Sequence, residues 1–219
     1  MTISLEFEEG VAVISIDDGN KNVINHTLLD DLELAWEKAQ TEAKAILLKG
    51  RQGSFCAGYD IAVMTGEDFA ASAELGQRGG RLAAQIYGSP IPVVGLVQGH
   101  AFTIGPVWLA GCDVRVGEHG SYKFGMTEVA LNVPLTGWAL EAMRSRLNMR
   151  HQTAALLHSK IYDPEEALDA GFIDRLVPEG EGFALALNIA GNLSKLPAHS
   201  YRKTKAALRR SVLEMKNLN

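Results

Sequence analysis

The chain has 219 residues, 47% of them hydrophobic and 21% charged, with a formal net charge of −5. That composition suits a soluble globular fold with one substantial core, and it offers no general attraction to nucleic acid or to an anionic membrane. The two cysteines, Cys56 and Cys112, make neither a disulfide framework nor metal-ligand spacing, which fits a reducing compartment. The opening stretch, MTISLEFEEGVAVISIDD, is acidic and has no basic, then apolar, signal-peptide pattern. No apolar run reaches the roughly 20 residues that a membrane span needs, so a cytoplasmic location is expected. SLEFEEGVAVISID then holds two short strand patterns around Glu9-Gly10, a hairpin signal.

Asn25 is placed to cap a helix through NHTLLDDLELAWEKAQ, where Leu28, Leu29, Leu32, Ala35, Trp36 and Ala39 recur at helical spacing. AILLK is a continuous apolar run of strand length, as expected for a strand covered on both faces. GSFCAGYDIAVM follows, with Ala57 and Gly58 between that strand region and the next helix. Small residues there fit an ordinary strand-to-helix turn; close approach of a ligand to the backbone is the second reading. A glycine-containing helix is expected over 68–87, then a buried strand in IPVVGLVQG, then two more in CDVRVG and SYKF. Alternating strands and helices predict an α/β chain with buried, mainly parallel strands. From about residue 140 the pattern reads as helices, dividing the chain into a core (1–139) and a helical region (140–219). In YDPEEALDAGFIDRLVP, Asp163 is an N-cap, Pro164 the first helical residue, Glu166 the third, and Gly171 the stop. PAHSYRKTKAALRRSVLEMK puts Arg202, Lys203, Lys205, Arg209 and Arg210 on a helix, expected to be a solvated face, with phosphate contact as the alternative.

VQGHAFTIGPVWLAGCD repeats the pattern of the first loop: a strand ends, the chain crosses Ile104-Gly105, and Pro106 suits the first turn of a helix. Two such loops at the ends of neighbouring buried strands lie where ligands sit in an open α/β sheet. Backbone N–H groups from both, converging on one oxygen beside a helix N-terminus, would make an oxyanion hole.

SFCAGYDI resembles the first signature of the crotonase (enoyl-CoA hydratase/isomerase) superfamily, and PIPVVGLVQGHAFTIG with CDVRVG resembles the second. YKFGMTEVALNVP and DPEEALDAGFIDRLVP are similar to later segments, and NKNVINHTLLDDL to the CoA-binding turn and helix. Five motifs in order cover nearly the whole chain. The resemblance implies a crotonase-like spiral of ββα units with a helical C-terminal region that builds a homotrimer or hexamer. It implies an acyl-CoA thioester substrate, with coenzyme A as part of the substrate and no separate cofactor or metal. It puts the thioester oxygen between the N–H groups of Ala57 and Ile104 and the adenine near the turn at 21–23. Val23, Gly58, Tyr59, Asp60, Ile61 and Thr127 are the implied substrate contacts. FTIGPVW departs from the glycines that members commonly carry in the second loop.

Hydratases of this superfamily use two glutamates. By the same resemblance the first falls on Val107 and the second on Glu128, so one carboxylate is kept. A single carboxylate suits a 1,3-proton shuttle, which favours an enoyl-CoA isomerase with Glu128 catalytic; a hydratase and a non-catalytic acyl-CoA binder are the alternatives. RNA binding through the basic terminal helix is a third class, with little support from the net charge. Plainer roles stand beside these: Asp60 as a helix cap, His100 as a hydrogen-bonded loop histidine, Cys56 and Cys112 as buried fillers, and Tyr59 and Trp108 as core or pocket wall.

Overall fold

A computed structural model describes residues 2–135 and 137–215. Strands β1 (Ile3–Glu8) and β2 (Val11–Ile16) form the expected antiparallel hairpin, turning at Glu9 and Gly10. Strand β3 (Val23–Ile24) leads into α1 (His26–Glu42), where Asn25 caps by accepting the Leu28 N–H at 2.9 Å. The helix buries the six residues that its periodicity marks.

Next come β4 (Ala45–Lys49), β5 (Gly53–Cys56), β6 (Gly58–Tyr59), the short α2 (Ile61–Met64) and α3 (Phe69–Tyr87). They are followed by β7 (Val93–Val97), β8 (Gly99–Phe102) and α4 (Ile104–Gly111), then β9 (Val114–Glu118) and β10 (Phe124–Gly125). A 3-10 turn at Val129–Leu131 precedes α5 (Gly137–Arg144), α6 (Met149–Leu156), α7 (Pro164–Ala170), β11 (Arg175–Val177), α8 (Gly182–Leu193), α9 (Ala198–Leu208) and α10 (Arg210–Met215).

The strands sort by unit. The first strand of each unit, β4, β7 or β9, joins a six-stranded sheet in the order β1-β2-β4-β7-β9-β11, parallel from β2 onward. The second, β5, β8 or β10, joins a parallel three-stranded sheet in the order β10-β8-β5. This is the α/β spiral of two-stranded units that the resemblance implies. In the large sheet, period-2 alternation divides the strands between two cores. Ile46, Leu48, Val93 and Val97 face the main core, while Ala45, Leu47, Val94 and Leu96 face a second one closed by Ala186 and Ala190 of α8. Both faces of AILLK are therefore covered.

Three sequence expectations change. SYKF contributes a two-residue strand, β10. The helical C-terminal stretch contains one strand, β11, which pairs with β9 at the edge of the large sheet. The basic terminal segment is not one solvated face. Arg202, Lys203 and Arg210 are exposed, but Lys205 and Arg209, one helical turn apart, are buried. The helix also breaks at Arg209, and Lys216 lies outside the described residues. Both buried cations meet Asp113: Lys205 Nζ at 2.7 Å and an Arg209 guanidinium N–H at 2.9 Å. The Arg209 guanidinium also donates to the Tyr87 and Gly111 carbonyls at 2.6 and 2.8 Å. Two of the five described cations of this segment are therefore not on its surface. Burial pushes the Lys205 ammonium down to about 8, with the Asp113 carboxylate pulling it back up. The capping of α7 is as expected: Asp163 accepts the Glu166 N–H at 2.8 Å, and Glu166 reciprocates at 3.2 Å. Among the described residues, no helix is long and apolar enough to cross a membrane.

The buried cluster generates a stability prediction. Asp113→Asn leaves two buried cations without their carboxylate, and urea unfolding at neutral pH should show a loss of about 3–5 kcal/mol. A loss under about 1 kcal/mol would mean that both cations reach water once the carboxylate is gone.

Candidate active site

Three loops leave the C-terminal end of the same small parallel sheet. They follow β5 at Ala57, β8 at Thr103 and β10 at Met126. β8 is the middle strand, so its loop lies between the other two. Thr103 donates its N–H to the Gly125 carbonyl at 3.0 Å, which ties the β8 loop to the approach of Glu128. This is the end of a parallel sheet at which ligands are bound.

The β5 and β8 loops touch along their backbones. Gly58 has φ +96°, and a Cβ there would lie 2.4 Å from Thr103 Oγ1. A Cβ on Gly105 would lie 2.9 Å from Cys56 Cβ. Glycine is required at both positions by close approach, and at Gly58 also by its dihedral. Gly58 is small because it accommodates the neighbouring loop.

The N–H groups differ from the sequence expectation in one respect. Ile104 is the first residue of α4, and its N–H has no acceptor among the described residues. The Ala57 N–H, however, is donated to the Lys21 and Asn22 carbonyls at 3.2 and 3.4 Å. The Asp60 N–H also turns toward β3, reaching the Ile24 carbonyl at 2.9 Å. Strand alternation then directs the Tyr59 N–H away from β3, and it has no acceptor among the described residues. Tyr59, in place of Ala57, is the residue of this loop with a free backbone donor.

Glu128 stands just before the 3-10 turn, largely buried, and its Oε2 has no hydrogen-bond partner. Burial raises its carboxyl above the ordinary 4.5, opposed by a hydrogen bond to its own backbone N–H. The Tyr59 phenol is pushed up by burial, then by the nearby Cys56 and Glu128.

A cleft of ≈ 640 Å³ opens beside these loops, lined by Lys21, Val23, Ala57, Tyr59, Asp60 and Ile61 among others. Of the implied substrate contacts, Val23, Tyr59, Asp60 and Ile61 line this cleft, while Gly58 does not. Glu128, Thr127 and Ile104 do not line it; they sit on the neighbouring loops. Asp60 caps α2 by accepting the Ala62 N–H at 2.9 Å. Ile61 is 72% exposed. The Tyr59 hydroxyl donates to the Gly76 carbonyl of α3 at 3.3 Å. His100 accepts the Lys123 N–H at 3.2 Å on β8. Trp108 is fully buried and donates to the Gly79 carbonyl at 3.2 Å. Burial pushes the Cys56 and Cys112 thiols up to about 12, so both remain protonated fillers.

One structural residue escapes sequence reasoning. Asn22 is fully buried with φ +53°. Its amide donates to the Ile16, Ser54 and Phe55 carbonyls at 2.8, 3.0 and 3.2 Å. It joins the 21–23 turn to β5 and so fixes one wall of the cleft. Its only sequence signal is an asparagine in a polar turn, where most asparagines are solvated.

Comparison with known proteins agrees with this arrangement. The family described as enoyl-CoA hydratase/isomerase matches residues 6–218. The chain is 25% identical over 216 residues to mitochondrial enoyl-CoA delta isomerase 1 of Rattus norvegicus, covering 97% of this chain and 75% of that protein. A crystal structure of the enoyl-CoA hydratase EchA3 from Mycobacterium ulcerans superposes with a TM-score of 0.94 at 26% identity, over 98% of this chain and 94% of that one. An apo enoyl-CoA isomerase from Mycobacterium tuberculosis gives 0.92 at 28% identity, over 98% and 93%.

The unpartnered carboxylate has a measurable signature. A raised folded-state value means that the native state holds the Glu128 proton to higher pH than the unfolded chain does. Stability is then greatest below 4.5 and falls as pH rises through the folded value. Glu128→Gln removes the buried charge, so the variant should be more stable than the parent at pH ~7, with the gap closing toward pH ~4. Urea unfolding at both pH values checks this, and a variant less stable at neutral pH would show a well-solvated carboxylate.

Proposed function

The chain belongs to the enoyl-CoA hydratase/isomerase (crotonase) superfamily, and from that premise we propose an enoyl-CoA isomerase that moves a double bond from C3 to C2 of an acyl-CoA. The observation that carries the isomerase reading is the state of the carboxylates. Asp18 and Asp60 line the cleft, but their oxygens accept backbone N–H groups of Asn20 and Val23, and of Ala62. Of the carboxylates on the cleft and its neighbouring loops, Glu128 keeps a buried oxygen without a partner among the described residues; Glu118 Oε2 is buried likewise, but its Oε1 is held by Gln98 and the Gly182 N–H away from these loops. Val107, which stands where a hydratase would have its other glutamate, is an apolar residue at 2% exposure.

In this reading the thioester oxygen accepts the Tyr59 and Ile104 N–H groups. Glu128 takes the proton from C2, and the electron pair of that C–H bond moves onto the thioester as a dienolate. The charge develops on the oxygen facing the two N–H donors and the N-terminus of α4, where fixed dipoles stabilise it most. Glu128 then returns the proton to C4, and the double bond is left between C2 and C3. A raised carboxyl value suits both steps, since the same group must accept and release a proton near neutral pH. The 21–23 turn and the wall from Ala57 to Ile61 receive the CoA moiety.

Glu128→Gln preserves shape and removes the base, so turnover of a 3-enoyl-CoA should fall by roughly 10²–10⁴, with little change in binding. Product analysis supplies the counter-test. Rapid hydration of a 2-enoyl-CoA by the unmodified protein would make it a hydratase, and turnover of neither substrate would leave an acyl-CoA binder.

The same membership supports assembly into a homotrimer or a pair of trimers. Met149 and Leu208 on the C-terminal helices, 87% and 79% exposed, are apolar surface that a subunit contact would cover. Sedimentation at micromolar concentration should give a trimer or hexamer; a stable monomer would overturn it.

A further inference from the structure

Tyr59 combines the free N–H of the first loop with a ring that runs inward to α3. The residue lines the cleft, and its side chain packs against the main core. Its hydroxyl donates to the Gly76 carbonyl at 3.3 Å. A Cβ on Gly79 would lie within 3.0 Å of the Oη, Cε1 and Cζ atoms of Tyr59, so the end of the ring rests on the backbone of α3. Gly79 belongs to the buried stripe of that helix, with Leu75 and Leu82 on either side of it, and it has no positive φ. Glycine weakens a helix interior, and the gap it leaves in this stripe is filled by the Tyr59 ring. Behind the gap, the fully buried Trp108 of α4 donates to the Gly79 carbonyl at 3.2 Å and holds α3 in place.

In the proposed reaction the thioester carbonyl rests on the Tyr59 N–H and the CoA moiety leaves along the cleft wall. The acyl carbons therefore leave the carbonyl carbon on its other side, inward. Glu128 must reach both C2 and C4, which commits the first carbons of the chain to the three loops. What the chain meets beyond C4 decides how long it can be. On the inward side of the first loop stands α3, with Leu75, Gly79 and Leu82 turned into the core, and the Tyr59 ring already occupies the space in front of it.

We propose that the Tyr59 side chain is the end wall of the acyl space, and that it restricts this protein to short acyl chains. This rests on the oxyanion reading of the Tyr59 N–H. One residue then supplies both the point from which the chain is measured and the wall at which it stops. The distance between them is set by the covalent geometry of Tyr59 and by the seat of its ring on α3. Alanine at 59 keeps the N–H and opens the space toward Gly76 and Gly79.

The test is calorimetric titration of the full chain with butyryl-, hexanoyl-, octanoyl- and decanoyl-CoA. These saturated thioesters have no double bond to move, so their affinities report the space without turnover. A methylene that enters an apolar space should tighten binding about fourfold, and one that meets a wall should add nothing. In the unmodified protein the gain should end at hexanoyl-CoA. In Tyr59→Ala it should continue, leaving decanoyl-CoA bound at least roughly tenfold more tightly than hexanoyl-CoA. Tyr59→Leu keeps apolar packing on α3 with a shorter side chain, and its gain should end at octanoyl-CoA. Adding Gly79→Leu to Tyr59→Ala refills the same space from the helix and should bring the end back to hexanoyl-CoA, a rescue that general loosening of the fold would not give. A gain that runs on to decanoyl-CoA in the unmodified protein would overturn the wall while leaving the acyl-CoA reading standing. So would a gain that still ends at hexanoyl-CoA in the alanine and leucine variants, or a double variant that binds decanoyl-CoA as Tyr59→Ala does. Failure of the unmodified protein to bind any of the four thioesters would overturn the acyl-CoA reading, and the wall with it.

Discussion

The site depends on two backbones being in contact. Gly58 lies against the Thr103 side chain, and Gly105 against that of Cys56, so the loops after β5 and β8 leave no room for a side chain at either glycine. The contact is possible because β5 and β8 are parallel neighbours: strands ≈ 4.8 Å apart deliver their loops at that same spacing. In the proposed reaction two N–H groups serve one oxygen without movement as charge develops, and such preorganisation is what makes fixed donors effective.

The remainder of the molecule holds that contact in register. On one side Asn22 fastens the 21–23 turn to β5 with two hydrogen bonds and to the end of β2 with a third. On the other, the Thr103–Gly125 bond carries β10 and Glu128 with β8. Further away, Arg209 donates to the Gly111 carbonyl at the end of α4 and pairs with Asp113 just beyond it. This links the C-terminal helices to the C-terminus of α4, whose N-terminus faces the site. A buried ion pair of this kind adds little net stability over an apolar contact. Its directional bonds nevertheless fix where the helices dock.

Buried polar groups are usually satisfied, as Arg115 is by Asp174 at 2.6 Å and the Gly171 carbonyl at 2.5 Å, although Trp138 Nε1, Tyr162 Oη and Glu118 Oε2 have no partner among the described residues. On the loops beside the cleft such groups lie close together in the chain. Glu128 Oε2, Thr103 Oγ1 and two N–H groups lack partners among the described residues. Several unsatisfied donors and acceptors within a few residues of one another are unfavourable for folding, and they are where a polar ligand would find its bonds.

The amino-acid sequence by itself determined whatever depends on short-range chemistry. The Glu9-Gly10 hairpin, the Asn25 cap, the buried stripe of α1 and the Asp163–Glu166 capping box follow from neighbours within about four residues. The two loops after β5 and β8 were legible too, because ordered motifs carry information that single residues do not. Tertiary structure decided the rest. Whether Ala57 or Tyr59 offers a free N–H depends on β3 occupying one side of β6, a partner 35 residues away by register. Lys205 and Arg209 look like their exposed neighbours in sequence, and only Asp113 beneath α9 distinguishes them. β11 is a strand because the edge of β9 stands open beside it. In each case the local chain permits several outcomes, and the one adopted is fixed by a hydrogen-bond partner that only the folded chain brings within reach.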